Sequence, residues 1–268
     1  MNSEVIGAVR GLVMEAGRRI MPFYRGHVAV SVKQDASPLT AADLAAHHFL
    51  VESLPAILPG TPVISEESAP ESHLLACNSD RFWLVDPLDG TKEFLKATDE
   101  FTVNVALVEN GRPILGAVHA PALDVTYYAS AEGGAWRESA NRAPTRLATR
   151  RADIARLAVV ASKDHAGPMV KAMLDRLSHP ALRSMGSSLK FCLIAEGSAD
   201  LYFRDVPTME WDTAAAQCVV ESAGGSVCSL DGKALRYGKA GLKNPSLMTS
   251  GDPGFNWRQF TCGDGIGG

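Results

Sequence analysis

The chain has 268 residues, 21% of them charged, and a formal net charge of −4 at pH 7, enough to bury a substantial core in one large domain or two small ones. This balance excludes an electrostatic basis for polyanionic nucleic acid or an anionic membrane as the main partner. Five cysteines (Cys77, Cys192, Cys218, Cys228 and Cys262) fall in no CxxC or Cys/His ligand spacing, which excludes a disulfide scaffold or structural zinc as the organising device and predicts reduced, mostly buried thiols. Residues 1–20 carry Glu4, Arg10, Glu15, Arg18 and Arg19 throughout, so no signal pattern and no transmembrane segment are expected and the cytoplasm is the default location. Peripheral attachment at the cytoplasmic face of the inner membrane is left open, as is a homodimer.

From residue 3 to 24, apolar side chains at Val5, Val9, Leu12, Val13, Ala16, Ile20 and Phe23 recur at helical spacing and predict an amphipathic first helix. Val28, Val30 and Val32 alternate as a strand does. A polar loop follows, in which Lys33 and Asp35 read either as solvated residues or as groups approaching a metal ion. Thr40 with Asp43 three residues on is a capping pattern for a helix through Leu44, Val51 and Leu54, which Pro55 should kink or end. A short apolar strand closes in Glu66 and Glu67, and a longer one from Phe82 closes in Asp86 and Asp89. Alternation over 101–107, a turn at Glu109-Asn110-Gly111 and runs at 114–118 and 125–129 predict an antiparallel sheet.

The pattern changes after the polar stretch 138–151, which divides the chain into an α+β half at 1–150 and an α/β half at 151–268. The second half reads strand (157–161), helix (168–177), short strand, helix (187–196), strand (199–203) and helix (212–223), with parallel strands expected. The glycine-rich end, 263–268, is expected to be disordered or tag-like.

Two carboxylates at the end of a buried strand repel each other and lose hydration, so Asp86 and Asp89 point to a hard divalent cation between them. Gly90 lets backbone approach a ligand, and a helix starting at Thr91 would aim free N–H groups at an anion, the combination phosphate chemistry needs. The same residues also read as an Asx-type turn that only caps a helix. Further acids at Glu66, Glu67 and, in Glu210-Trp211-Asp212-Thr213, at Asp212 make a shared site the stronger reading. Gly186-Ser187-Ser188-x-Lys190 offers hydroxyls, N–H groups and one cation, which suits a second phosphate or a ribose and equally suits a helix cap with a surface lysine. Arg204 is a further candidate cation or an exposed strand-end arginine. Adjacent His47 and His48 lie on different helix faces, so no histidine metal pair is expected.

Glu66-Glu67, Asp86-Pro87-Leu88-Asp89-Gly90-Thr91 and Trp211-Asp212 resemble, in order and separation, the three signatures of the magnesium-dependent, lithium-sensitive inositol monophosphatase superfamily. Lys92-Glu93-Phe94, Gly186 to Phe191 and Glu210 to Ala215 resemble its CysQ-like 3'(2'),5'-bisphosphate nucleotidases, and the likeness covers nearly the whole chain. The resemblance implies the αβαβα layered sandwich of the inositol monophosphatase/fructose-1,6-bisphosphatase fold, with the site between the halves. It implies Mg2+ as cofactor, one ion held by Glu66, Asp86 and the carbonyl of Leu88, another by Asp86, Asp89 and Asp212, with Glu67 behind them or at a third ion. It further implies that Thr91 and Asp43 relay a proton from the attacking water, and that Gly90 and Thr91 N–H groups hold phosphate. Ser162, His165, Gly186, Ser187, Lys190 and Asp212 would meet the substrate; Asp164 is a departure, placing a negative charge where a bisphosphate would pass. The implied activity is removal of the 3'-phosphate of adenosine 3',5'-bisphosphate, a by-product of sulfate activation. An inositol monophosphatase or a broad sugar-phosphate phosphatase on the same metal site is the alternative. Either way the expected partner is a small molecule.

Overall fold

The computed structural model describes residues 3–26, 30–32, 38–161, 167–177 and 180–260. Val28, Lys33, Asp35, Ser162, Asp164, His165, Cys262 and the glycine-rich end lie outside them. The expected first helix is α1 (Ser3–Ile20), ended by a 3-10 turn at Met21–Phe23 that carries Pro22. Strands β1 (Val30–Val32) and β2 (Pro38–Thr40) pair antiparallel and lead to α2 (Ala41–Ile57). Pro55 does not break α2, which runs two residues further. Its core side is made by Ala42, Ala46, Leu50 and Leu54, whereas Leu44 is exposed.

Next come β3 (Val63–Ser65), α3 (Pro70–Cys77), β4 (Arg81–Asp89), α4 (Thr91–Leu95), β5 (Thr102–Glu109), β6 (Arg112–Ala120), β7 (Val125–Ser130), β8 (Gly134–Ser139) and β9 (Thr145–Arg146). These strands form a seven-stranded sheet in chain order, antiparallel apart from the parallel β3–β4 pair. The rest of the chain gives β10 (Ala158–Ala161), α5 (Pro168–Arg176), β11 (Ala181–Ser184), α6 (Leu189–Ala195), β12 (Leu201–Arg204), β13 (Thr208–Met209), α7 (Ala214–Ser222), β14 (Ser226–Ser229), β15 (Lys243–Asn244) and β16 (Leu247–Ser250). The second sheet has the order β11-β10-β12-β16-β14. Its first three strands are parallel, as expected, but β16 runs antiparallel to both neighbours.

Side-chain alternation sets the layering. Trp83, Val85, Val103, Val105, Leu107, Leu115 and Ala117 face α1 and α2, while Phe82, Leu84, Ala106, Val108 and Val118 face α6 and α7. On the second sheet Ala158, Val160, Tyr202 and Leu247 join that middle layer, and Val159, Leu201, Phe203 and Met248 face α5 and Trp257. The order is therefore α1/α2, sheet, α6/α7, sheet, α5: the αβαβα sandwich. The middle packing is close, because a Cβ on Gly116 of β6 would drive into the Ala215 carbonyl oxygen of α7 and stand 2.9 Å from the Cys218 Cβ. Cys192 and Cys218 are buried there, but Cys77 is exposed and Cys228 only half-buried, so the thiols are less enclosed than expected; these four are all unpaired. No described helix is long and apolar enough to cross a membrane.

Candidate active site

Residues three apart on a regular strand point to opposite faces. Asp86 and Asp89 escape this rule because β4 bulges between them: Asp86 pairs with Asn104 and Asp89 with Thr102, one extra residue on the β4 side. Leu88 takes the core side toward α2, and the Asp89 carboxylate turns to the start of α6. Asp86 is buried and its Oδ1 accepts from the Leu88 N–H at 3.1 Å. Asp89 Oδ2 accepts from the N–H and Oγ of Ser188 at 2.6 and 2.9 Å. Each fixed oxygen orients the other.

Gly90 follows at φ +90°, a left-handed position where a Cβ would also press on the Glu100 carbonyl and Ser187 Cβ, both at 3.2 Å. α4 then starts at Thr91, whose Oγ1 donates to the Leu88 carbonyl over a long 3.4 Å. Thus the Leu88 carbonyl expected at a metal is shared with Thr91. α4 packs on β2, beside the Thr40/Asp43 capping box. Asp43 is buried, and its Oδ2 accepts from the Thr40 N–H at 2.8 Å and Oγ1 at 2.6 Å.

The expected helix at 187–196 begins later, at Leu189, because Ser187 is left-handed at φ 47°. This turn folds onto β5: the Gly186 N–H donates to Glu100 Oε2 at 2.8 Å, and the Ser187 and Thr102 hydroxyls lie 3.0 Å apart. Lys190 is no surface lysine. Only 4% exposed, it donates to the Ser187 carbonyl at 2.6 Å, and burial pulls its pKa down to about 8 against the opposing pull of Asp89, Glu93 and Glu100. Asp89, Gly90, Thr91, Ser187, Lys190 and Asp212 line one open cleft of about 280 Å³ together with Tyr202 and Arg204. Arg204 is half-buried rather than exposed; it donates to the Val206 carbonyl at 3.2 Å and sits in the field of Asp212 and Asp89.

Glu66 and Glu67 follow β3, which runs parallel beside β4, and the Glu66 N–H donates to the Val85 carbonyl at 3.1 Å. Asp212 lies before α7, with Oδ2 accepting the Met209 N–H at 2.8 Å. Enclosure first, then the charges of Asp89 and Glu66, push its pKa up to about 8. Among the described residues, no three His, Cys, Asp or Glu side chains form a ready-made metal cluster. The acids therefore share a field without closing into a cage.

The Asp212 shift has a testable sign. Below its ordinary value of 3.8 the group is protonated whether folded or unfolded; from there to about 8 only the folded form keeps the proton. Its contribution is thus present at low pH and lost as pH rises through about 8. In metal-free protein, calorimetry is expected to show this loss between pH 5 and 8, flattened in Asp212→Asn. A variant with an unchanged profile would sink the assignment.

Local sequence pattern missed a buried frame behind the cleft. Glu210, fully buried, accepts from the N–H groups of Gly238 and Lys239 at 2.6 and 3.0 Å and pairs with Lys239 Nζ at 2.6 Å. Asn244 Nδ2 donates to the Met209 carbonyl at 2.8 Å and to Thr213 Oγ1 at 2.9 Å. These bonds hold the turn carrying Asp212, and their partners lie too far along the chain for local pattern to signal.

Residues 1–254 match the inositol monophosphatase family. The chain belongs to that family. Among its relatives, the 3'(2'),5'-bisphosphate nucleotidase CysQ of Salmonella typhimurium is 46% identical over 84% of this chain and 91% of its own length. The protein of the same name from Escherichia coli K12 is 45% identical over 89% and 96%. A crystal structure of CysQ from Bacteroides thetaiotaomicron, described as a bacterial member of the family, is 34% identical, with a TM-score of 0.79, covering 92% of this chain and 97% of that one. The family fold agrees with the five layers described above.

Proposed function

We propose that the chain is a magnesium-dependent phosphomonoesterase that hydrolyses the 3'-phosphate of adenosine 3',5'-bisphosphate to AMP and phosphate. The observation that carries this reading is the lining of the cleft, where the acids Asp89 and Asp212 stand with the basic Lys190 and Arg204. A molecule with two phosphates matches both kinds of group, one phosphate through cations on the acids and one on the basic side chains. The names of the CysQ relatives support the same substrate.

The donor set fits magnesium. Burial and the charges of Asp89 and Glu66 raise the Asp212 pKa, a crowding of carboxylates that favours a hard cation, and magnesium keeps waters and substrate oxygens in its shell instead of requiring an all-protein cage. Glu66, Asp86, Asp89, Asp212 and the Leu88 carbonyl would hold it, with Glu67 behind. Bound there, the ions neutralise phosphoryl charge and make water more acidic.

The chain's own groups do the rest. Thr91 Oγ1, which donates to the Leu88 carbonyl, would take a proton from the attacking water and pass its own toward Asp43. The Thr40 N–H and hydroxyl both donate to Asp43 Oδ2, which fixes the carboxylate in orientation for that task. Gly90 and Thr91 N–H groups hold phosphate oxygens. Gly186 and the left-handed Ser187 let the 186–188 turn close over β5, and Lys190 braces it through the Ser187 carbonyl while facing the distal phosphate. Ser162 and His165 complete the substrate side in this proposal.

The deciding experiment measures magnesium-dependent phosphate release from adenosine 3',5'-bisphosphate and inositol 1-phosphate side by side, with and without lithium. Preference for the nucleotide is expected. Arg204→Gln should raise KM for the bisphosphate by roughly 10- to 100-fold, the worth of one charged hydrogen bond, and leave the inositol ester unaffected. Equal loss on both esters would remove Arg204 from substrate selection, and preference for the inositol ester would overturn the nucleotide assignment.

A further inference from the structure

α3 is a helix with little hydrophobic reason to stay in place. Of its eight residues only Ala76 is buried, and Leu74 and Leu75 are 63% and 49% exposed. A single helix of that length is marginal without a packed face. What fastens it inward is polar: His73 Nε2 lies 3.1 Å from the Ser65 carbonyl oxygen. A carbonyl only accepts, so this nitrogen carries the proton and donates.

The bond falls at a sensitive peptide. Ser65 is the last residue of β3, fully buried, and Glu66 follows it directly. The Ser65–Glu66 peptide group is gripped at both ends, its C=O by His73 and by the Ser68 N–H at 3.0 Å, its N–H by the Val85 carbonyl at 3.1 Å. The orientation of that plane sets the direction in which the Glu66 side chain leaves the backbone. His47 holds the side chain as well, with Nδ1 2.9 Å from Ser65 Oγ. The His73 ring also packs on Trp211, with centroids 5.2 Å apart, and Trp211 is the buried neighbour of Asp212. One imidazole therefore touches both the strand end that carries Glu66 and the turn that carries Asp212, segments 146 positions apart in a chain of 268.

We propose that His73 is a positioning residue that ties the Glu66 strand end to the Asp212 turn and thereby sets the affinity of the acidic site for divalent cations. The proposal rests on the reading of these acids as magnesium ligands. Removing the tie leaves every ligand in place but frees their relative orientation, and the loss appears in cation affinity more than in the rate at saturation. Groups that orient ligands in this way typically carry a 10- to 100-fold effect; acting through backbone, His73 belongs at the lower end, about 10-fold.

Two variants separate its two contacts. His73→Phe keeps a ring against Trp211 and loses the donor; His73→Gln keeps an N–H donor and loses the ring. Calorimetric titration of each full-length protein with MgCl2, without substrate, is expected to give a dissociation constant about 10-fold weaker for the Phe variant and a smaller loss for Gln. Turnover at saturating magnesium should stay within about 2-fold of the parent. Parent-like magnesium affinity in His73→Phe, even with a lower melting temperature, would overturn the proposal and leave His73 as a mere fastener of α3. Lost turnover at saturating metal with unchanged affinity would overturn it as well. Failure of the parent protein itself to bind magnesium would overturn the site reading on which the proposal stands.

Discussion

Asp89→Asn is expected to lower kcat by roughly 10³-fold or more while leaving the fold intact, the scale of several kcal/mol of lost charge stabilisation at a phosphoryl group. The loss comes from geometry as well as charge. Asp89 Oδ2 accepts two hydrogen bonds from Ser188, one from N–H and one from the hydroxyl. An asparagine that keeps these bonds turns its oxygen to Ser188 and its NH2 toward the cleft, where a donor stands in place of a ligand oxygen. The opposite orientation sets NH2 against the Ser188 N–H. Neither arrangement restores the site. The metal-free protein should be no less stable, because one of the charges that raises the Asp212 pKa is gone. Steady-state kinetics with saturating magnesium, beside circular dichroism and a melting curve, checks both halves. Turnover within 10-fold of the parent would remove Asp89 from the metal site.

The bulge that makes this pair of acids work shows what local pattern carries and what it does not. Asp86 and Asp89 were identifiable as residue types, yet strict alternation would have sent them to opposite faces; only the extra residue opposite Asn104 and Thr102 joins them. The Thr40/Asp43 capping box was legible because all its atoms lie within four residues. The first helix and the central hairpins were legible through their period. By contrast β14 and β16 pass unnoticed: Ser226-Val227-Cys228-Ser229 and Leu247-Met248-Thr249-Ser250 are too short and too mixed to alternate clearly. Lys190 reads by pattern equally as a substrate-binding cation or a surface lysine, and its burial follows from the left-handed turn at Ser187 folding onto Thr102 and Glu100, contacts about 85 positions away. Separation in sequence likewise hides the Glu210–Lys239 pair, 29 positions apart, and the contact of His73 with Trp211, 138 positions apart.

Gly116→Ala is expected to cost about 3 kcal/mol, the upper part of the range for overpacking a well-filled core, and to lower the melting temperature by roughly 6–12 °C for a chain of this size. The residue lies in β6 at ordinary strand conformation, so backbone freedom is not the reason. A methyl group there would meet the Ala215 carbonyl oxygen and the Cys218 Cβ, and neither is the mobile end of a long side chain. Relief requires α7 to lift from the sheet. Because Asp212 stands two residues before that helix, the displacement reaches the cleft, and a shift near 1 Å in a catalytic constellation costs on the order of 100-fold in rate. Stability and turnover should therefore fall together although Gly116 touches no substrate. Gly7→Ala supplies the contrast: on the exposed face of α1 an added Cβ meets nothing within 4 Å, and the better helix former should stabilise by about 0.5–1 kcal/mol without changing the rate. If Gly116→Ala melted with the parent and turned over normally, the distance between the seven-stranded sheet and α7 would not be what places Asp212, and the frame of Glu210, Lys239 and Asn244 would have to hold that turn alone.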